Sequence, residues 1–269
     1  MRLIELDKAG SEWVITAYLA GEPRMIEVVE SGIKPHVVTG SLITGVPQDI
    51  VIEEHALLGD LDNPDDIEAQ RKNIAFGPTK FLPRTMSIYQ CGKKSNHAFN
   101  YGLGAKKWAR INEVAEGEAI KVRKLYLKEA YPDLDAWWRT VQEQLKEDRT
   151  LHNCFGRKRI FRDRWDDELF KAAYAWNPQS TSVEIVNRAM VKFWQDERPE
   201  MQRAELLLYR HDSLTFQHPG DDDEVTTFIQ GMCTHMEPTL TWGGREFVVG
   251  TSVKMGPNLG EMKPCQFMY

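Results

Sequence analysis

The chain has 269 residues, 42% hydrophobic and 28% charged, which suits a folded protein with room for a core and more than one domain and excludes a disordered or fibrous one. No run approaches the ~18 apolar residues of a membrane span and no signal peptide precedes the first strand-like run, so a cytoplasmic protein with no membrane partner is expected. The net charge of −6 is uneven: between Arg71 and Lys128, 13 Lys and Arg stand against three acids, a local +10 that leaves −16 elsewhere, as suits a surface that tracks phosphates.

In chain order, RLIELD reads as a strand ending at Asp7, and KAGSEWVITAYLAGEP as a partly buried helix that opens near Glu12 and stops at Gly21 and Pro23. Ile33 to Gly45 and Glu53 to Arg71 read as short helices and loops, and Phe76 to Pro83 as a loop. In TMSIYQCGKKSNHAFNYG, Lys93, His97 and Tyr101 recur every four residues, a single helical stripe with Tyr89 one turn earlier and Asn96 beside it. Such a stripe offers a charge for a phosphate and flat rings for a base. Glu116 to Glu147 keeps a helical period broken at Tyr131-Pro132, and Phe155 to Arg159 reads as a basic hairpin turn. Helices follow over Asp167 to Ala175 and, restarting at Asn177-Pro178, through Gln179 to Trp194.

The stretch LLLYRHDSLTF, Leu206 to Phe216, reads as two strands joined by a tight turn that lifts Asp212 to its tip. Strands are expected again over Thr226 to Cys233, Glu246 to Gly250 and Thr251 to Met255. If the first strand lies beside the Asp212 hairpin, Asp7 and Asp212 share a metal site. Taken singly, each aspartate equally reads as a turn residue, Glu12 as an acid complementing a helix dipole, and the Lys93 stripe as an amphipathic face with a solvated lysine and a core tyrosine. The four cysteines, with no C-x-x-C pair, read as reduced thiols.

The ordered set is recognisable. Asp7-x4-Glu12 at a strand-to-helix junction, Gly92-Lys93 with Asn96 and Tyr101-Gly102 on a helix, and His211-Asp212 on a hairpin resemble motifs A, B and C of family A DNA polymerases, the family of bacterial DNA polymerase I and its phage relatives. Thr39, Gly156-Arg157, the phage-like Pro178-Gln179-Ser180-Thr181 and the tail Val253 to Met262 match further segments, so the resemblance runs from about residue 2 to residue 262. It implies an α+β fold, an antiparallel palm sheet with an inserted helical fingers subdomain: palm over 1–32 and 173–269, fingers over 33–172. It also implies template-directed DNA synthesis from dNTPs on primer-template DNA, with two Mg2+ ions, or Mn2+, held by Asp7 and Asp212.

By the same resemblance, Lys93 neutralises the triphosphate and is a general-acid candidate, Glu12 crowds the ribose 2′ position, and Tyr101 tests the nascent pair. Gln179 and His211 contact the primer-template, and Arg157 touches its backbone. The family pattern is broken at Tyr89, where arginine is usual, so that triphosphate contact is absent or supplied by Arg84 or Lys94. It is broken also at His97, an aromatic position bearing on the sugar 3′ position, at Ser213, which removes a carboxylate, at Lys171, where arginine is usual among the DNA contacts, and at Ala175, where asparagine is usual. The thumb and first part of the palm have no counterpart, and a sheet starting at this strand is expected to leave an edge and an apolar face uncovered. The expectation is the C-terminal part of a split polymerase, completed by a second polypeptide; the alternative is a non-catalytic nucleic-acid-binding subunit or remnant.

Overall fold

The computed structural model describes residues 1–8, 10–58 and 86–265. The first strand, β1 (Arg2–Lys8), is followed by helices α1 (Ser11–Ala20), α2 (Pro23–Glu30), α3 (Pro35–Thr44) and α4 (Gln48–Leu58), then α5 (Ile88–Asn100), α6 (Ala105–Asn112) and α7 (Glu116–Lys124). A π-helical turn, Leu125–Ala130, leads to α8 (Leu134–Asp148), the short strands β2 (Thr150–His152) and β3 (Lys158–Ile160), and the long α9 (Asp167–Gln195). Then come α10 (Pro199–Gln202), β4 (Glu205–Arg210), β5 (Ser213–His218), α11 (Asp222–Met236), β6 (Leu240–Trp242), β7 (Arg245–Phe247), β8 (Thr251–Gly256) and β9 (Lys263–Pro264). The described residues group into two compact units, one formed by 1–15, 152–158 and those from 177 on, the other by 16–151 and 159–176. No helix among the described residues is long and apolar enough to cross a membrane.

The first unit holds an antiparallel five-stranded sheet in the order β4-β5-β1-β8-β9. Strand alternation sends Ile4 and Leu6 to one face, where they meet Leu214, Phe216 and Val253 under Phe193 of α9 and Phe228, Ile229 and Met232 of α11. Phe216 lies edge-on to both Phe193 and Phe228, at centroid distances of 4.9 and 5.2 Å. Such ring pairs add about 0.5–1.5 kcal/mol each beyond the area they bury.

Four expectations change here. Thr226 to Cys233 is not a strand but the middle of α11. The Asp221 side chain accepts the Glu224 N–H at 3.0 Å, three acids fill the first turn, and Val225, Phe228, Ile229, Met232, Cys233 and Met236 make one buried face at helical spacing. Of Glu246 to Gly250, only the first two residues join β7, which pairs with β6 in a separate hairpin turning at Gly243 and Gly244, both at positive φ. The break expected at Asn177-Pro178 is absent: α9 runs through Pro178. An interior proline costs about 3 kcal/mol, which the burial of Thr181, Ile185, Val186 and Ala189 in the following turns offsets. Finally, β1 is the central strand, so the sheet's edges are β4 and β9. On β4, Leu207, Leu208 and Tyr209 are 43%, 38% and 44% exposed.

The second unit is helical, and its organising contact is the crossing of α3 and α5. A Cβ on Gly92 would overlap the His36 carbonyl oxygen, and one on Gly40 would come within 2.7 Å of the Ile88 carbonyl oxygen, so the two backbones touch where only glycine fits. Beside the crossing, Thr39 Oγ1 donates to Asn96 Oδ1 (2.9 Å) and lies 2.9 Å from the Tyr131 hydroxyl. The Tyr126 hydroxyl lies within 3.0 Å of Asn96 Oδ1 and 2.6 Å of Asn100 Oδ1. These buried polar groups satisfy one another and fix the rotation of α5. Gly92→Ala is expected to cost about 1–3 kcal/mol by forcing the helices apart, read as a lower denaturant midpoint; an unchanged midpoint would show that the crossing is loose.

Candidate active site and basic grooves

In the sheet-bearing unit, register sets the site. Asp7 of β1 faces Ser213 of β5 on one side and Ser252 of β8 on the other, and the Lys8 backbone N–H donates to the Asp212 carbonyl at 3.1 Å. Asp212 thus sits at the β4–β5 tip, immediately beside the strand end that carries Asp7. The tip is two residues long, with His211 in the left-handed region at φ 44°, a conformation that costs a non-glycine residue about 1 kcal/mol or more. Burial, then the charges of Asp212 and Glu5, push the Asp7 carboxyl up to about 6, against the opposing pull of Lys254 and Lys8.

Lys8 shares the buried face of β1 with Ile4 and Leu6 and is 1% exposed. Its ammonium donates to the Met236 carbonyl (2.7 Å), the Val249 carbonyl and Thr251 Oγ1 (3.1 Å), using all three of its protons. Burial draws its pKa down to about 8. Ser11 Oγ donates to Asp212 Oδ2 at 3.3 Å and lies 2.8 Å from Ser182 Oγ of α9. Sequence reading missed these three side chains, although the phase of Lys8 with Ile4 and Leu6 was a visible signal.

Of the other candidates in this unit, Glu12 is half-buried in the first turn of α1, while His211 and Gln179 are exposed. Arg157 lies in a turn held by Asn153 Oδ1, which accepts the Phe155 and Arg157 N–H groups, and its guanidinium pairs with Glu184 at 2.5 Å. Ser213 is buried and donates to the Arg210 carbonyl. Two like-charged carboxylates at adjacent strand ends fit a hard divalent cation, which takes one or two protein carboxylates and completes its shell with water and phosphate oxygens. No cluster of three or more His, Cys, Asp and Glu suited to a metal occurs among the described residues.

In the helical unit, α5 presents Lys93 half-buried and His97 exposed, while Tyr101 follows the last turn. Tyr89 and Asn96 turn inward. The Tyr89 ring stacks on His55 (centroids 3.7 Å apart), meets His36 edge-on at 5.5 Å, and has Lys34 Nζ 6.0 Å from its centre. Burial first, then the neighbouring His97, Lys93, His55 and Lys34, push the His36 imidazole down to about 3, so basic groups converge where the resemblance expects an arginine. Lys94 is exposed, and Arg84 lies outside the described residues.

Further along the same unit, two cavities of about 580 and 600 Å³ share Gly104 and Lys171. Lys106, Lys107 and Arg110 line one, with Glu116; Arg123, Lys124 and Lys128 line the other, with Asp135 and Asp167. Lys171 pairs with Glu168 at 2.7 Å, and Lys128 with Asp135. The described part of the basic segment, together with Lys171, therefore lines grooves in which cations outnumber acids, a shape and charge that suit a phosphodiester backbone.

A family model described as DNA polymerase family A matches residues 53–261. The chain is 23% identical over 229 residues to the thermostable DNA polymerase I of Thermus aquaticus, covering 83% of the chain and 23% of that protein. It is also 23% identical over 233 residues to the DNA polymerase I of Treponema pallidum, covering 84% of the chain and 20% of that protein. It shares the fold of the POL domain of Pol1 from M. smegmatis, solved in complex with DNA primer-template and dNTP, at a TM-score of 0.71 and 20% identity over 95% of this chain and 39% of that one. The chain thus spans about a fifth to a quarter of the length of these curated relatives.

The raised Asp7 pKa has a consequence for stability. Well below pH 3.8 Asp7 is protonated in both folded and unfolded chains; as pH rises through 3.8 towards about 6 the unfolded chain ionises first, so folding stability falls. Without divalent cations, Asp7→Asn is expected to raise the thermal midpoint at pH 8 by the equivalent of roughly 1–2 kcal/mol, with the gain vanishing below pH 4. Equal midpoints at pH 8 would show that the folded site does not disfavour the charged Asp7 carboxylate.

Proposed function

We propose a function from one premise: the chain belongs to DNA polymerase family A. It adds deoxynucleotides to a primer 3′-hydroxyl under the direction of a DNA template. The observation that carries this reading is the Asp7–Asp212 pair, two carboxylates brought side by side by strand register, with the Asp7 carboxyl pushed up first by burial and then by the charge of Asp212. Two Mg2+ ions, or Mn2+, would supply Lewis-acid activation and charge neutralisation when bound there.

Asp7 and Asp212 would hold those ions. Lys93 neutralises the triphosphate and hands a proton to the leaving group; Lys34, 6.0 Å from the centre of the Tyr89 ring, adds positive charge on the same unit. Glu12 excludes the ribose 2′-hydroxyl, Tyr101 packs against the nascent base pair, and His97 contacts the nucleotide sugar. Gln179, His211, Arg157 and Lys171 hold primer-template, with Lys171 set among the groove cations. In this reading residues 1–32 and 173–269 are palm and 33–172 fingers. A second polypeptide supplies the thumb and remaining palm; the exposed Leu207, Leu208 and Tyr209 on the edge strand β4 support a covering partner.

Primer extension on a primed DNA template with Mg2+ and four deoxynucleotides tests the reading. Asp212→Asn is expected to lower extension at least about 10³-fold while the Kd for primer-template stays within twofold. DNA binding without extension, even with a co-purified polypeptide present, would establish the non-catalytic binding subunit instead. Glu12→Ala is expected to raise ribonucleotide incorporation at least about tenfold; unchanged sugar selection would remove Glu12 from that role.

A further inference from the structure

We propose that Ser182 and Ser11 form a hydroxyl relay that orients the Asp212 carboxylate for metal binding, making both serines positioning residues; this rests on the metal site of the proposed function. The three side chains come from three separate elements of one unit: Ser182 from the middle of α9, Ser11 from the first turn of α1, and Asp212 from the β4–β5 tip. Ser182 and Ser11 are 3% and 2% exposed.

Chemistry fixes the direction of the relay. An ionised carboxylate only accepts, so the proton on the 3.3 Å contact belongs to Ser11 Oγ. A serine has one hydroxyl proton, so the 2.8 Å contact between the serines takes its proton from Ser182 Oγ. The order is therefore Ser182 to Ser11 to Asp212, and each donated bond polarises the next. Ser11 sits at a helix start, where a serine commonly turns its oxygen onto its own backbone. Here Gly10 O accepts the Trp13 and Val14 N–H groups, and the Ser11 hydroxyl goes to Asp212.

The physical effect is on freedom. Asp212 stands at a two-residue tip next to an exposed histidine, and a side chain there turns readily about its χ angles. The relay pins Oδ2 to a buried donor and leaves Oδ1 for a cation. A ligand oriented beforehand loses less entropy when the ion arrives.

Mn2+ binding to the full chain, followed by electron paramagnetic resonance without substrate, tests this apart from activity. Ser11→Ala and Ser182→Ala are each expected to weaken Mn2+ binding about 3- to 10-fold. The double variant should match Ser11→Ala alone, because Ser182 reaches Asp212 only through Ser11. Unchanged affinity in Ser182→Ala, which is read alone if Ser11→Ala does not fold, would overturn the relay; so would losses that multiply in the double variant. Binding that Asp212→Asn abolishes but neither serine variant alters would keep the metal site and reject the relay. A parent chain that binds no Mn2+ would overturn both.

Discussion

The structure depends on one pairing, that of β1 with β5 on one side and β8 on the other. Strand side chains alternate, so a slip of one residue would turn Ile4 and Leu6 to water and Asp7 into the core. The hydrophobic requirement that fixes the register therefore also fixes the chemistry. Lys8 reinforces the arrangement, because its ammonium is satisfied only where the end of α11, residue 249 and the start of β8 come together around it. A buried ammonium left one acceptor short costs several times what a single satisfied hydrogen bond contributes, so the strand end tolerates little displacement.

The helical unit uses a different constraint for a similar purpose. Gly40 and Gly92 bring two backbones into contact, and the Thr39, Asn96, Tyr126 and Tyr131 network fixes which way the helix faces. That rotation puts Lys93 and His97 outward and Tyr89 inward. The aromatic ring at position 89 is used for packing against His55 and His36, and positive charge near it comes from Lys34.

What the sequence made legible followed from local rules. Two apolar runs flanking the polar His211-Asp212-Ser213 located the Asp212 tip, and a four-residue spacing located the Lys93 face. What it hid depended on distant chain. Thr226 and Thr227 beside Val225 look strand-like until the cap at Asp221 and the buried face of α11 are both known. Pro178 signals a break that the apolar turns after it override. Ser11 and Ser182 have no significance apart, since neither residue type, nor their separation in sequence, hints that they touch. The roles of Lys93, Glu12 and the DNA contacts came from motif order and not from periodicity, and they carry into the proposed mechanism as such.

The central position of β1 also bears on how the molecule is made. Its partners on β5 lie roughly 200 residues later in the chain, with the helical unit in between. Closing so long a loop is entropically costly and slow, and the reward comes only when the last third of the chain is available. On a ribosome, β1 would emerge well before β5 and β8 and wait, an apolar strand with both edges unsatisfied, while the helices behind it form from local contacts. The carboxylate pair would then be among the last features to assemble, so nascent or truncated chains would hold a formed helical unit with the metal site still open.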